Sequence, residues 1–160
     1  MSSKELQILS PQSIMVAWAE AYLEKSSSFN IIDCHTLLRI AEFENTIHQI
    51  KADSDIGCYL TGFTGGVRYA PVMRYSKIHL LVPQRRLSSF LKVAECKQVD
   101  SGTNVQIHIV TSDGLLYYAR IIENQQVAPP VQVYLGCMKL KGRREEMAEG
   151  ILLKEIARLK

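Results

Sequence analysis

A glycine-rich segment is the first place in this chain where residue types and spacing could do chemistry. Residues 61–66 (TGFTGG) follow a short apolar run and precede a predicted helix, a setting in which backbone amides can hold a phosphate. The segment lacks the lysine of a P-loop, and its glycines do not match the dinucleotide-binding pattern G-x-G-x-x-G. We therefore expect Gly65 and Gly66 to allow a helix to pack closely on a sheet.

A second candidate is the triplet Glu95-Cys96-Lys97. In metal-dependent nucleases a carboxylate and a lysine at this spacing hold a divalent ion and polarise the attacking water. Such a site also needs an acidic residue on a neighbouring strand, whereas Asp53 and Asp55 lie in a predicted turn. The favoured interpretation is a solvated helix end, and a divergent metal-dependent nuclease or nucleotidyltransferase is the alternative hypothesis.

The remaining nucleophiles and metal-ligand types do not form motifs. The histidines, which show no metal-binding spacing and are expected to be ordinary surface or strand residues, are His35, His48, His79 and His108. The cysteines, expected to be reduced thiols packed as small apolar groups, are Cys34, Cys58, Cys96 and Cys137. No serine lies in a G-x-S-x-G motif. The sequence therefore predicts no catalytic residue, metal site or cofactor.

Positive charge is concentrated in two places, although the net charge is only +3. The candidate nucleic-acid-binding residues are Lys139, Lys141, Arg143, Arg144, Arg85 and Arg86. The first four could contact phosphates or an acidic protein surface. Alternatively, Lys139 and Lys141 stabilise the C-terminus of the preceding helix, which Gly142 ends. The two interpretations are compatible.

Hydrophobic periodicity predicts alternating helices and strands. The predicted helices cover residues 11–25, 34–50 with Asp33 as N-cap, a short stretch after Gly66 that ends at Tyr69, 87–94, 130–140 and 144–159. In the second of these, Glu44 is the polar exception on an apolar stripe. The predicted strands cover residues 58–60, 78–82, 105–110 and 115–122, and residues 53–57 are predicted to turn. The last two strands are expected to form a hairpin across residues 111–114.

This pattern predicts an α/β (α+β) fold with a mixed sheet flanked by helices in a single domain. Within residues 1–160 we expect a tail at 1–10, a helical lead-in at 11–50 and the sheet with its helices at 58–160. The hydrophobic content of 47% suits one globular core. Charged residues interrupt every apolar run, and no secretory signal is evident, so we expect a cytoplasmic protein without a membrane span.

An ordered set of segments resembles the AbiEi antitoxin family of type IV toxin-antitoxin (abortive infection) systems. The segments are YLTG and YAP at residues 59–71, GTNV at 102–105, DGLLYY at 113–118, VAPPVQVYL at 127–135 and GRREEMAE at 142–149. The family-motif residues within and around them are Thr61, Gly62, Asn104, Asp113, Gly114, Pro130, Gln132, Tyr134, Glu145 and Glu146. A segment at 17–22 (AWAEAY) is similar to the start of that family's C-terminal domain, so the likeness covers nearly the whole chain.

The resemblance implies a transcriptional regulator that binds other macromolecules. Family members usually carry an N-terminal winged helix-turn-helix for operator DNA, which we do not expect within these residues. Their C-terminal domain takes part in autoregulation and in countering a nucleotidyltransferase toxin. The expected partners are therefore that toxin and the phosphates of DNA or RNA, and a homo-oligomerisation role is a third hypothesis.

This sequence departs from the family pattern at two positions. Where the pattern places an acidic residue after the Tyr-Leu pair, the chain has Gly136. Where the pattern has Gly-Arg-Gly-Glu, the chain has GRRE at residues 142–145, which strengthens the basic run.

Overall fold

A computed structural model of the chain describes residues 10, 13–14, 16–17, 20–21, 30–53, 56–71, 74–140 and 144–158. The strands are β1 (Ile31–His35), β2 (Tyr59–Leu60), β3 (Ile78–Pro83), β4 (Lys97–Gln98), β5 (Val105–Val110), β6 (Arg120–Ile122) and β7 (Gln125–Val127). The helices are α1 (Ile40–Asp53), α2 (Gly62–Tyr69), α3 (Leu87–Val93), α4 (Pro130–Lys139) and α5 (Arg144–Arg158), with short 3-10 segments at Gln84–Arg86 and Asp113–Leu116. The described residues among 13–21 are also helical, as predicted.

The seven described strands form one mixed sheet in the order β4-β1-β5-β3-β2-β7-β6. β3 runs parallel to β5, and β2 runs parallel to β7. The pairs β1–β4, β1–β5, β2–β3 and β6–β7 are antiparallel. The predicted α/β class with a mixed sheet is therefore confirmed.

β3 lies at the centre of the sheet, and all six of its side chains are buried. Successive side chains of a strand point to opposite faces, so both faces of β3 must be covered. α2 and α3 both pack against this strand, and α2, α4 and α5 pack on one another. Burial on both sides explains why the sequence of β3 reads as a nearly continuous apolar run.

The prediction of a helix from Cys34 capped by Asp33 was wrong. Residues 31–35 form β1, and the helix begins at Ile40. The Arg39 backbone N–H donates to the Glu42 carboxylate at 3.0 Å, so the cap lies six residues later than expected. β1 has partners on both sides, β4 and β5, which follow it by more than sixty residues. A local pattern could not reveal those partners, and the sheet therefore begins within the segment predicted to be a helical lead-in.

The predicted hairpin between residues 105–110 and 115–122 was also wrong. β5 already has β1 on one side and β3 on the other, so it has no edge for another strand. Instead β6 and β7 form a hairpin across Glu123 and Asn124, whose φ angles are 50° and 63°. Positive φ at both central residues is the geometry of the tight turn that suits the twist of a hairpin.

The other predicted elements are confirmed with small shifts of their ends. α1 continues to Asp53, so the predicted turn begins later than expected, and residues 54–55 lie outside the described part. α2 ends at Tyr69 as predicted but begins at Gly62, within the glycine-rich segment, and β3, α3, α4 and α5 fall where the sequence placed them. All four cysteines are buried and none forms a disulfide.

The glycine-rich segment is a helix with close neighbours, as the packing interpretation predicted. A Cβ atom on Gly65 would lie 2.8 Å from the backbone oxygen of Leu60. A Cβ atom on Gly66 would lie 2.7 Å from the sulfur of Met147 in α5. The two glycines let α2 approach β2 on one side and α5 on the other.

Replacing Gly65 by alanine tests this packing through the sign of the change in the free energy of unfolding. Helix propensity alone predicts a gain of about 1 kcal/mol for glycine to alanine in a helix. We expect a loss of about 2 kcal/mol, because overpacking against a backbone atom forces the helix to move. Gly114 is the control, since the nearest atom to an added Cβ lies 3.5 Å away. Urea denaturation of both variants measures the difference, and a stabilised Gly65→Ala protein would contradict close packing.

Candidate functional site

The central strands bring two histidines to one face of the sheet. In the parallel register of β3 and β5, His79 lies beside Gln106 and Leu81 lies beside His108. Alternate residues of a strand share a face, so His79, Gln106 and His108 lie on the same side. On the next strand Ile31 lies opposite His108. Three strands thus form the floor of a cavity.

This histidine cavity has a volume of about 530 Å³. Besides the strand residues His79, His108, Gln106 and Ile31, its walls are formed by Phe63, Arg74, Tyr75, Ser76, Lys77, Lys139 and Leu140. A volume of this size is in the range of small-molecule sites in proteins.

The two histidine rings are buried and incompletely paired. Each residue is 5% exposed, and the ring centroids lie 6.4 Å apart. His79 Nδ1 and His108 Nε2 have no hydrogen-bond partner. Burying an unpaired polar atom costs about 1–3 kcal/mol, so these atoms do not serve stability. Both rings line the cavity, so unpaired polar atoms are buried at its wall.

Burial also sets the charge of these groups. Burial, the neighbouring His108 and Lys77 lower the pKa of His79 to about 4. Burial and Lys139 lower the pKa of His108 to about 4. At neutral pH both rings are therefore uncharged and can either donate or accept a hydrogen bond. The sequence did not single out these residues, and the only signal was that each lies in an apolar strand.

Lys139 is the part of the predicted basic run that reaches the cavity. It lies in the last turn of α4, half-buried, which agrees with its expected place at a helix C-terminus. Burial lowers the pKa of Lys139 to about 8. Lys141 and Arg143 lie outside the described residues, and Arg144 is the first residue of α5.

Arg85 and Arg86 lie at the opposite end of β3 from the cavity. They belong to the 3-10 segment that follows Pro83, and Arg85 is exposed. β3 has six residues, so its two ends are separated by roughly 17 Å. The structure therefore does not bring the predicted basic pair together with Lys139.

Several family-motif residues hold the start of α2 beside His79. The Thr61 backbone N–H donates to the His79 carbonyl at 2.9 Å. Gly62 has φ of +51°, and a Cβ atom there would lie 3.0 Å from His79 Cγ. A Cβ atom on Gly136 would lie 3.2 Å from Thr61 Oγ1. Gly136 thus lets α4 approach the start of α2, next to the cavity.

Asn104 ties the end of β1 to the sheet. The Thr36 backbone N–H donates to Asn104 Oδ1 at 2.9 Å, and Asn104 Nδ2 donates to the Thr36 carbonyl at 2.8 Å. The neighbouring Thr103 hydroxyl donates to the Cys34 carbonyl at 2.9 Å. These bonds close a loop more than sixty residues long, which gives Asn104 a structural role.

Of the other residues in the segments that resemble the family, Gly114, Pro130 and Gln132 line a second depression. Pro130, Gln132 and Tyr134 are buried in α4, and burial raises the pKa of Tyr134. Asp113 begins a 3-10 segment in which Gly114 is exposed. Glu145 and Glu146 lie in the first turn of α5, where carboxylates stabilise a helix N-terminus.

This tyrosine cleft has a volume of about 730 Å³. It is lined by Gly114, Tyr117, Tyr118, Ala119, Arg120, Pro129, Pro130, Val131, Gln132 and Leu135. Tyr117 is 81% exposed and Tyr118 is 75% exposed, and their rings meet edge to face at a centroid distance of 5.2 Å. Exposed aromatic side chains beside an apolar depression are typical of protein-binding surfaces.

The described residues do not place Glu95 and Lys97 in the arrangement that a metal-dependent nuclease requires. Glu95 is an exposed turn residue with φ of 50°, and Lys97 is exposed on the edge strand β4. Within the described part of the chain, no group of three or more His, Cys, Asp or Glu side chains could hold a metal ion.

The fold and these surfaces define an α/β domain whose described residues form the histidine cavity and the tyrosine cleft. A family model described as "Transcriptional regulator, AbiEi antitoxin, Type IV TA system" matches residues 7–157. The chain therefore belongs to the AbiEi antitoxin family of type IV toxin-antitoxin systems, as the motifs indicated. No curated protein and no solved structure matches it. Among the described helices, none has the length and apolar character required to span a bilayer.

Proposed function

We propose that this chain acts in the cytoplasm as the binding domain of an AbiEi-type antitoxin, counters a nucleotidyltransferase toxin and supports autoregulatory binding of DNA. The family match over residues 7–157 carries the proposal. Antitoxins and transcriptional regulators both work by binding macromolecules. The exposed tyrosines and the basic residues of this chain suit those two kinds of partner.

The tyrosine cleft is the surface best suited to contact the toxin. Tyr117, Tyr118 and Ile121 are all more than 65% exposed and follow one another closely. Aromatic residues supply large contact area at low cost in side-chain entropy, and they dominate binding energy in many interfaces. Arg120 also lines the cleft, and its guanidinium is paired with Glu155 at 2.7 Å.

Co-expression with the nucleotidyltransferase encoded by the neighbouring reading frame tests this function. We expect the wild-type chain to restore growth and to retain the toxin in a pull-down. Replacing Tyr117 and Tyr118 by alanine should weaken toxin binding at least about tenfold, which is the loss expected for interface aromatic residues. Leu37→Ala is the control, because Leu37 is a 95% exposed apolar residue outside the cleft. Growth rescue by the tyrosine variant would show that the toxin is countered without contact through this cleft.

The basic residues near the start of α5 are proposed to contact DNA phosphates. Lysine and arginine contacts to phosphate give affinity that is independent of sequence and falls as salt rises. Lys141, Arg143 and Arg144 precede or begin α5, whereas Lys139 is half-buried in the cavity wall. The first three are therefore the better candidates for an extended surface such as a duplex.

Binding to duplex DNA at several salt concentrations measures how much the basic residues near the start of α5 contribute to DNA affinity. Alanine at Lys141, Arg143 and Arg144 should weaken binding and reduce the slope of log affinity against log salt by about 2.7, since each phosphate contact contributes about 0.9. Alanine at Arg85 and Arg86 tests the second predicted basic pair in the same way, and alanine at Lys92 and Lys97, two exposed lysines outside both basic clusters, is the control. Fluorescence anisotropy at several salt concentrations measures all three. An unchanged slope in the first variant would exclude this surface.

A further inference from the structure

Among the described residues, the charged groups in the wall of the histidine cavity are all positive. They are Arg74, Lys77 and Lys139. Two carboxylates hydrogen-bond to residues of the wall: Gln106 Nε2 donates to Asp33 at 3.1 Å, and the Tyr75 hydroxyl donates to Glu44. Three cations in the wall of one cavity attract an anionic ligand.

The buried rings add specific hydrogen-bonding capacity. His79 and His108 are each 95% buried, since each is 5% exposed, and each keeps one ring nitrogen without a partner in the protein. A site made only to attract an anion would not need neutral, desolvated imidazoles. Such groups are suited to recognise polar atoms of a ligand that enters the cavity.

The rest of the wall is apolar or aromatic. Phe63, Tyr75, Ile31 and Leu140 line the same space as the cations. The Phe63 ring meets His79 edge to face at a centroid distance of 6.1 Å. Flat aromatic and apolar surfaces next to cations fit a ligand that joins a planar ring to a phosphate.

We propose that the histidine cavity binds a phosphorylated nucleoside. Arg74, Lys77 and Lys139 receive the phosphate. The base lies against Phe63 and Tyr75, and His79 and His108 hydrogen-bond to its polar atoms. This site goes beyond the proposed antitoxin function, because it lets the domain bind a small ligand as well as macromolecules. The same chemistry has two sources, a free mononucleotide and the terminal nucleotide of an RNA chain.

Calorimetric titration of the full chain tests the site directly. The probes are AMP, GMP, CMP, UMP, adenosine and inorganic phosphate, each at low salt. We expect at least one mononucleotide to bind at least about tenfold more tightly than adenosine or phosphate alone. Binding should take up protons from the buffer near pH 8, because an anion beside Lys139 favours its charged form. Phosphate that binds as tightly as every mononucleotide would overturn the proposal.

Two replacements test the residues, and one serves as control. His108→Phe keeps an aromatic ring and removes the unpaired nitrogen, and Lys77→Ala removes an exposed cation from the wall. Each should weaken nucleotide binding at least about tenfold, with thermal melting to confirm that the variant is folded. Lys97→Ala removes an exposed lysine of β4 that does not line the cavity, and it should leave binding unchanged. The proposal would be overturned if both test variants bound the nucleotide as tightly as the wild type. It would also be overturned if no mononucleotide bound at millimolar concentration.

Competition distinguishes the two sources. A short linear RNA should displace a bound fluorescent mononucleotide if the site accepts a chain terminus, and a circular RNA of the same sequence should not. Displacement by free mononucleotides alone assigns the site to the free ligand. Displacement by linear and circular RNA alike would contradict a cavity that holds a single nucleotide. None of these outcomes depends on toxin rescue or on duplex binding, so failure here and failure of the proposed function are separable.

Discussion

Replacing Glu44 by alanine is expected to lower the free energy of unfolding by about 3 kcal/mol, because it leaves a buried arginine without its main partner. Arg68 Nη2 lies 2.7 Å from Glu44 Oε2, and the two side chains are 15% and 14% exposed. The Tyr75 hydroxyl donates to the same carboxylate. Burial and the hydrogen bond to Glu44 raise the pKa of Tyr75.

The expected loss lies at the lower end of the range for broken buried pairs, about 3–5 kcal/mol, because Arg68 keeps its contacts with Glu123 and with the Tyr75 hydroxyl. Arg68 Nη1 lies 2.7 Å from Glu123, which is 69% exposed and therefore well screened. Burial lowers the pKa of Arg68, but the charges of Glu44 and Tyr75 outweigh it and leave the pKa above the ordinary value. An arginine side chain stays charged at pH 7, so in the variant the desolvation of Arg68 is compensated only in part.

The same helix supplies a matched control. Glu42 forms an ion pair with Arg39 at 2.7 Å, with side chains 45% and 86% exposed, and its carboxylate also accepts the Arg39 backbone N–H as the cap of α1. Exposed pairs contribute little and a helix cap contributes about 1 kcal/mol, so Glu42→Ala should cost about a third of what Glu44→Ala costs. Urea denaturation of both variants at pH 7 gives the comparison. Equal losses would show that the buried cluster is not what stabilises this part of the sheet.

Acid should destabilise the fold in a window set by His79 and His108. Their folded-state pKa values of about 4 lie below the ordinary value of 6.5. Between pH 6.5 and pH 4 the unfolded chain binds protons that the folded chain does not, so stability is fully present above 6.5 and is lost as pH falls toward 4. Each ring contributes on the order of 3 kcal/mol across that window.

Carboxylates titrate in part of the same range, so the histidine effect must be measured as a difference between proteins. A chain with His79→Phe and His108→Phe should lose much less stability between pH 6.5 and pH 5 than the wild type. His48→Gln is the control, because that side chain is exposed on α1. Denaturation at half-unit steps of pH gives the profiles. Parallel profiles for the wild type and the double variant would contradict neutral, buried rings.

Local pattern was sufficient wherever an element depends on its own residues. The apolar run of β3, the helical spacing of α5 and the proline at the start of α4 each appear within a short window, and the structure confirms them. The motif at residues 59–71 pointed to the family, and the match over residues 7–157 confirms it. The α/β class followed from the alternation of these elements.

Long-range pairing decided the rest. Residues 31–35 resemble the start of a helix when only the neighbouring sequence is considered, but in the fold they pair with β4 and β5. Residues 115–122 resemble a hairpin partner of β5, but β5 has a strand on each side and therefore no free edge. The cavity is the clearest case, since His79, His108 and Lys139 belong to three elements that only the sheet register brings together. A sequence window reports spacing along the chain, whereas burial and charge at a site depend on which elements fold over it.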